Sequence, residues 1–225
     1  MKQAFISWSG GKDCCLACHQ AMAEGLEIQY LANMLTEDGA HSRTHGLSVE
    51  MLQLQSRAVG IPLRQRKATW DTYEDELRKL LRSFKQQGIS EGVFGDIDLD
   101  EHREWVERVC DSVSITPHLP LWGRRQDEIL RHFISLGFEA VIVATKADML
   151  GEEWLGRKID LDFINQLTEL RKTSNITPCG EAGEYHTLVV DGPIFQKHLE
   201  IQETTKTLRD GHWFLEIARA GLRDK

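Results

Sequence analysis

The sequence predicts an α/β protein, with a parallel sheet covered by helices followed by a smaller C-terminal α/β region containing antiparallel strands. Three observations predict it. Short apolar runs alternate with segments of helical periodicity from the N-terminus to about residue 145, the pattern that right-handed crossovers fold into a parallel sheet. The first apolar run, Phe5-Ile6-Ser7-Trp8, breaks at Ser9-Gly10-Gly11-Lys12-Asp13-Cys14 into a glycine turn and then a helix start. Beyond that point the chain changes character, and two alternating runs flank Arg209-Asp210-Gly211, a hairpin signal. The expected division is 1–145 and 146–225.

In chain order, residues 14–24 carry apolar side chains at helical spacing and stop at Gly25, a residue suited to the left-handed turn after a helix. Ile28 to Leu35 is a buried strand, and Thr36 to Gly46 is a polar connection holding His41, Arg43 and His45. Leu47 to Val59 is helical and ends at Gly60, after which Ile61-Pro62-Leu63 opens an extended segment. Asp71-Thr72-Tyr73-Glu74 starts a helix that runs through Leu77, Leu80, Leu81 and Phe84 to Gly88. Gly92 to Asp98 is a strand ending in glycine and carboxylates, and the helix after it carries His102, Trp105 and Val109. Ser112-Val113-Ser114-Ile115 reads as a short strand before a segment stiffened by Pro117 and Pro120. Gln126 to Leu136 is a helix closing at Gly137, and Ala140 to Ala144 is a buried strand assigned to the parallel sheet. A helix over 160–172, a glycine-rich stretch from Pro178 to Thr187, the strand Leu188 to Val190 and the terminal hairpin complete the chain.

At 225 residues, 41% of them hydrophobic, the chain can bury one large core or two small ones. No apolar run is long enough to span a bilayer, and the N-terminus enters a strand directly, so a cytoplasmic location is expected. Five cysteines, an odd number, argue against a disulfide framework. Cys15 and Cys18 have ligand-like spacing, but with no second such pair they read as helix packing residues rather than a zinc site. A formal charge of −8 leaves no basic footprint for a long nucleic-acid surface, so nucleic acid is not the expected partner.

The glycine loop suits an anion. Its two glycines let backbone N–H groups approach a ligand, the helix start adds unpaired N–H groups and a positive dipole end, Ser9 supplies a hydroxyl and Lys12 a mobile cation. Spacing excludes both G-x-x-x-x-G-K-[ST] and G-x-G-x-x-G. Phosphate is the expected guest, held by Ser9, Gly10, Gly11, Lys12, Asp13 and Cys14, with the backbone at Asn33 and Met34 placed to meet an adenine edge. Gly95 and Asp96 fall at the same sheet edge. Asp13 and Asp96 are candidate ligands for Mg²⁺ bridged to phosphates, with helix capping by Asp96 or Asp98 and a dipole-favoured helix start at Asp13 as equal alternatives. A second cluster, Gly180-Glu181-Ala182-Gly183-Glu184-Tyr185-His186-Thr187, packs two carboxylates, an imidazole, a phenol and a hydroxyl beside permissive glycines. Taken alone it also reads as turns, solvated side chains and a satisfied strand histidine.

The first loop resembles the S-G-G-x-D-S loop of the ATP pyrophosphatases, with Cys14 in place of Ser. Taken with 180–187, it resembles the diphthine–ammonia ligase family, whose members pair an S-G-G-K-D-S loop with a later G-E-N-G-E-[YF]-H/E-T segment. Gly95-Asp96-Ile97, Pro120-Leu121-Trp122, Leu155-Gly156-Arg157 and Asp191-Gly192-Pro193-Ile194-Phe195 look like the family's intervening blocks, so the resemblance covers almost the whole chain. Cys14 and Ala182 depart from its pattern. The resemblance implies a Rossmann-like fold of the adenine nucleotide alpha hydrolase type, with 1–145 binding ATP and 146–225 on the substrate side. It implies ATP and Mg²⁺ as cofactors, ammonium as co-substrate and elongation factor 2 as protein partner. The implied reaction adenylates the diphthine carboxylate, and ammonia then displaces AMP to give diphthamide. Lys12, Glu181, Glu184 and His186 take catalytic roles, and Gly180, Glu181, Gly183, Glu184, Tyr185, His186 and Thr187 face substrate, with the base not chosen among them. Two other readings stay open. One is a related ATP pyrophosphatase that amidates or thiolates another acceptor, a small-molecule carboxylate or a tRNA base; the other is a non-catalytic ATP-binding sensor. A homodimer is compatible with either.

Overall fold

The computed structural model describes residues 2–43 and 45–225. It divides into two compact units. One is the chain up to Ser9 together with Asp13–Gly123; the other is Gly10–Lys12 together with Arg124–Lys225.

The first unit is built on a five-stranded parallel sheet of β1 (Lys2–Ser7), β2 (Leu26–Leu35), β3 (Leu63–Lys67), β4 (Glu91–Val93) and β5 (Thr116–His118), in the order β3-β2-β1-β4-β5. The order reverses between β1 and β4, so the loops after these two strands lie at the switch point where open α/β sheets bind ligands. Those loops carry Ser9 to Cys14 and Gly95-Asp96. Four helices connect the strands: α1 (Lys12–Ala23), α2 (Val49–Val59), α3 (Tyr73–Gln86) and α4 (Asp100–Asp111). The expected stripe of α3 is buried through Leu77, Leu80, Leu81 and Phe84, and the Phe84 ring stacks on Phe5 at 5.1 Å and on Tyr30 at 5.2 Å. Ser48 caps α2 by accepting from the Met51 N–H at 3.2 Å, and Gly60 ends it in the left-handed conformation.

Two expectations for this unit are corrected. The stretch 112–115 is not a strand: Ser112 is the C-cap of α4, the Val113 N–H donates to the Cys110 carbonyl, and Ser114 has φ of 56°. Its alternation belongs to a helix end and turn, and the strand is the three residues that follow, Pro117 included. β4 is also shorter than its apolar run, and Leu99, without a side-chain cap bond, takes the N-cap position of α4 where Asp96 or Asp98 was an expected cap.

The second unit contains an antiparallel sheet of β6 (Glu139–Lys146), β7 (Tyr185–Asp191), β8 (Lys197–Arg209) and β9 (His212–Asp224), in the order β7-β6-β9-β8, with helices α5 (Gln126–Ser135) and α6 (Leu161–Leu170). Here the expected boundary is corrected. β6 was assigned to the parallel sheet because the helix–strand alternation continues through α5 into an apolar run. Its two edges instead pair antiparallel with β7 and β9, and the division falls after Gly123. The β8–β9 hairpin turns on Asp210 (φ 49°) and Gly211 (φ 76°), the two consecutive positive values that a type I′ turn needs. Asp160 caps α6 by accepting from the Phe163 N–H at 2.8 Å, and Phe163 meets the Tyr185 ring edge to face at 5.5 Å.

Candidate functional site

In the first unit the exits of β1 and β2 are fixed by a buried polar relay. The Trp8 indole donates to Gln55 Oε1 at 2.8 Å, Asn33 Nδ2 donates to the Trp8 carbonyl at 2.8 Å, and Gln65 Nε2 donates to Asn33 Oδ1 at 3.2 Å. These bonds hold the strand ends around a cavity of about 50 Å³ that Ser9, Asn33, Met34, Arg43 and Tyr73 help to line. The cavity has room for one small group, well below the size of a whole small-molecule site. Ser9 Oγ lies 3.5 Å from Cys14 Sγ. Gly95 sits against the start of α1, where a Cβ would come within 3.0 Å of the Asp13 carbonyl carbon and of the Cys14 amide nitrogen. Gly95 thus brings the chain after β4 against the backbone of Asp13 and Cys14. Asp96 lies 3.5 Å from His102 Nδ1.

In the second unit, Gly10–Lys12 is threaded into the segment 177–189. The Val189 N–H donates to the Gly10 carbonyl at 3.0 Å and the Lys12 N–H donates to Thr187 Oγ1 at 3.0 Å. The Lys12 side chain, expected as a mobile cation, is buried at 3% exposure; its ammonium donates to the Cys179 carbonyl and lies 5.0 Å from the centroid of the Tyr185 ring. Tyr185 in turn donates its hydroxyl to the Pro178 carbonyl at 2.5 Å. Lys12 therefore reads the shape of the 178–185 turn through one carbonyl and one aromatic face.

That turn is built around Glu184. Its carboxylate is fully buried, with Oε1 accepting from the Thr177 N–H at 2.5 Å and Oε2 from the Ala182 N–H at 2.9 Å. Gly180 occupies a left-handed position (φ 76°) where a Cβ would meet the Tyr185 carbonyl oxygen at 2.7 Å, so glycine is required there twice over. Glu181 donates its N–H to Thr177 Oγ1 at 2.9 Å, and its side chain is partly exposed. His186 is half-buried in β7. Burial, then the nearby charges of Lys12 and His212, pull its pKa down to about 4 against a smaller opposing pull from Glu184, so the imidazole is neutral at pH 7.

The thiols of Cys15, Cys18 and Cys110 are held in the protonated form. Burial raises Cys15 and Cys18 well above the ordinary thiol range and pushes Cys110 up to about 12. Among the described residues no group of three or more His, Cys, Asp or Glu side chains is placed to hold a metal ion. A magnesium ion carried on phosphates needs only one or two protein carboxylates, so the absence of a larger cluster does not bear on it. The roles of the Trp8, Gln55 and Asn33 side chains show only once their elements are assembled; the sequence pattern marks Asn33 only by its backbone and Arg43 only as part of a polar connection.

Comparison with known proteins decides the family. The diphthamide synthase N-terminal domain matches residues 1–117 and the diphthamide synthase C-terminal domain matches residues 125–222. The chain belongs to the diphthamide synthase family. Relatives named diphthine–ammonia ligase from Rattus norvegicus and Homo sapiens are each 30% identical, over 93% of this chain and 86% of their own length. A relative of the same name from Danio rerio is 29% identical over 93% of this chain and 90% of its own. A solved structure described as a predicted subunit of tRNA methyltransferase from Methanocaldococcus jannaschii aligns with a TM-score of 0.44 at 15% identity, covering 88% of this chain and all of that one. The diphthamide synthase boundary at 117–125 brackets the division seen in the structure after Gly123. Among the described residues no helix is long and apolar enough to cross a membrane.

Proposed function

We propose that this chain is an ATP-dependent ligase that amidates a protein carboxylate, the diphthine side chain of elongation factor 2, with release of AMP and pyrophosphate. The relatives' shared name supports the ligase class and the acceptor. The observation that carries the chemistry is the capture of Lys12, a residue of the phosphate loop, by the Cys179 carbonyl and Tyr185 ring of the glutamate-rich turn. One lysine then serves both the phosphates and the segment assigned to the acceptor.

A carboxylate resists attack by ammonia because its leaving group is oxide-like; joined to AMP it acquires a good one. The N–H groups at Asp13 and Cys14, in the first turn of α1, together with Lys12, stabilise the negative charge that grows on pyrophosphate as it departs. Asp13 and Asp96 would hold Mg²⁺ with the phosphates, where the ion would supply further charge neutralisation. Met34 and Asn33 border the adenine side. On the acceptor side, Glu181, whose side chain is partly exposed, takes the proton that ammonium must lose before it attacks, because the Glu184 carboxylate is fully buried and both its oxygens are spent on backbone N–H groups. His186 and Thr187 then act as fixed polar walls.

The test is incubation of diphthine-bearing elongation factor 2 with the protein, ATP, Mg²⁺ and ammonium, with the acceptor mass and the nucleotide products read in one sample. Expected are amide formation with stoichiometric AMP and pyrophosphate, and loss of both by at least about a hundredfold in Lys12→Ala, the scale seen when one charge-stabilising donor is removed. AMP without amide would keep the phosphate chemistry and reject the acceptor; ATP bound with no turnover would leave a sensor.

A further inference from the structure

A second recess, of about 740 Å³, lies wholly within the second unit, bordered by the start of α5, the end of α6 and the chain over 174–178. Three of its lining residues are arginines, Arg125, Arg131 and Arg171, against one carboxylate, Asp127. In a chain with a formal charge of −8 this is a local reversal of sign, and it is not part of the phosphate loop. Asp127 is paired with Arg125, with Nε and Nη2 at 3.2 and 2.9 Å from its two oxygens, and Arg125 also lies 3.6 Å from Glu128, so the uncancelled positive charge of the recess is that of Arg131 and Arg171. Arg171 is anchored through Nε, which donates to the Ile176 carbonyl at 3.0 Å, leaving its two terminal amino groups for a ligand. Arg131 is exposed and has no ion pair or hydrogen bond among the described residues.

We infer that this recess docks an acidic peptide segment of the protein acceptor. The inference rests on the ligase reading for its occupant. The carboxylate–guanidinium fork already present in the wall, Asp127 on Arg125, is the chemistry a second carboxylate would repeat on Arg171 or Arg131. All three arginines are exposed. The recess also abuts the turn that holds Lys12. Thr177 and Pro178 line it, and the next residue, Cys179, gives its carbonyl to the Lys12 ammonium. Gln126, also in the lining, accepts from the Cys179 N–H through Oε1 at 2.9 Å. An acceptor seated on Gln126 and Thr177 therefore bears directly on the carbonyl that positions Lys12.

The experiment measures binding of a fluorescent hexaglutamate peptide to the full chain by anisotropy, with tripolyphosphate as competitor and ATP affinity recorded in parallel. Binding is expected to weaken about tenfold in Arg131→Glu and in Arg171→Glu, and to be unchanged in Arg82→Glu, an exposed arginine outside the recess. No binding to the wild type, equal loss in Arg82→Glu, or tripolyphosphate binding without peptide binding would each overturn the proposal. In those cases intact ATP affinity and AMP release would leave the ligase reading standing, and their loss would strike that reading instead.

Discussion

His186 couples the site to the stability of the fold. Its folded pKa of about 4 lies below the ordinary histidine value, so between these two values the unfolded chain binds a proton that the folded chain refuses. The stability it contributes is therefore complete above the unfolded value and is lost as pH falls from near 6.5 toward 4. A depression of this size corresponds to about 3 kcal/mol at most. We expect the urea midpoint of the wild type to fall more steeply between pH 7 and pH 4.5 than that of His186→Gln, which carries no such proton; parallel curves would show that His186 is not held neutral. At this scale the candidate site was partly legible. A stretch containing Glu181, Glu184 and His186 beside glycines announces chemistry, yet nothing in it announces that Glu184 is a clamp, because its partners are backbone N–H groups of Thr177 and Ala182 that any residue type would supply. Lys12 was misjudged as mobile for the same reason: its acceptor is a carbonyl.

Elements were legible where one residue type ends a periodic run. The apolar stripes of α2 and α3 and their terminal glycines mark those helices within a residue or two. Short strands were not, since three residues such as Thr116–His118 carry no period. β6 was found as a strand but not placed in its sheet, because a fully apolar run is compatible with either neighbour set. The packing of the chain after β4 onto the start of α1 was invisible too. Gly95 abuts backbone atoms of Asp13 and Cys14, and a backbone neighbour cannot swing aside as a side-chain tip can. Gly95→Ala must displace the first turn of α1 by a few tenths of an ångström and misalign its N–H groups. The expected outcome is ATP binding weakened by about tenfold, read by calorimetry, with the thermal midpoint lowered by only a few degrees. Unchanged affinity would show that the N–H groups at Asp13 and Cys14 do not face the nucleotide.

For the whole molecule, the alternation of strands and helices made the α/β class legible, and the antiparallel hairpin near the C-terminus was legible from Asp210-Gly211. The division of the chain was not. Gly10–Lys12 belongs with residues 124–225, through contacts separated by more than 170 residues in sequence, which no local pattern encodes. The consequence is that the second unit is discontinuous. A fragment beginning at Arg124 retains β6 to β9 and α5 to α6 but leaves the Val189 N–H, Thr187 Oγ1 and the Cys179 carbonyl without the partners they have in the intact chain. Each hydrogen bond lost with the loop removes on the order of 1 kcal/mol of net stability, and three together are a sizeable share of the stability of a small domain. Hydrogen exchange is expected to show the Val189 amide protected in the intact chain and exchanging at least a hundredfold faster in the fragment. Equal protection would mean that β7 closes on itself without the loop, and that Lys12 is a passenger in the second unit instead of one of its supports.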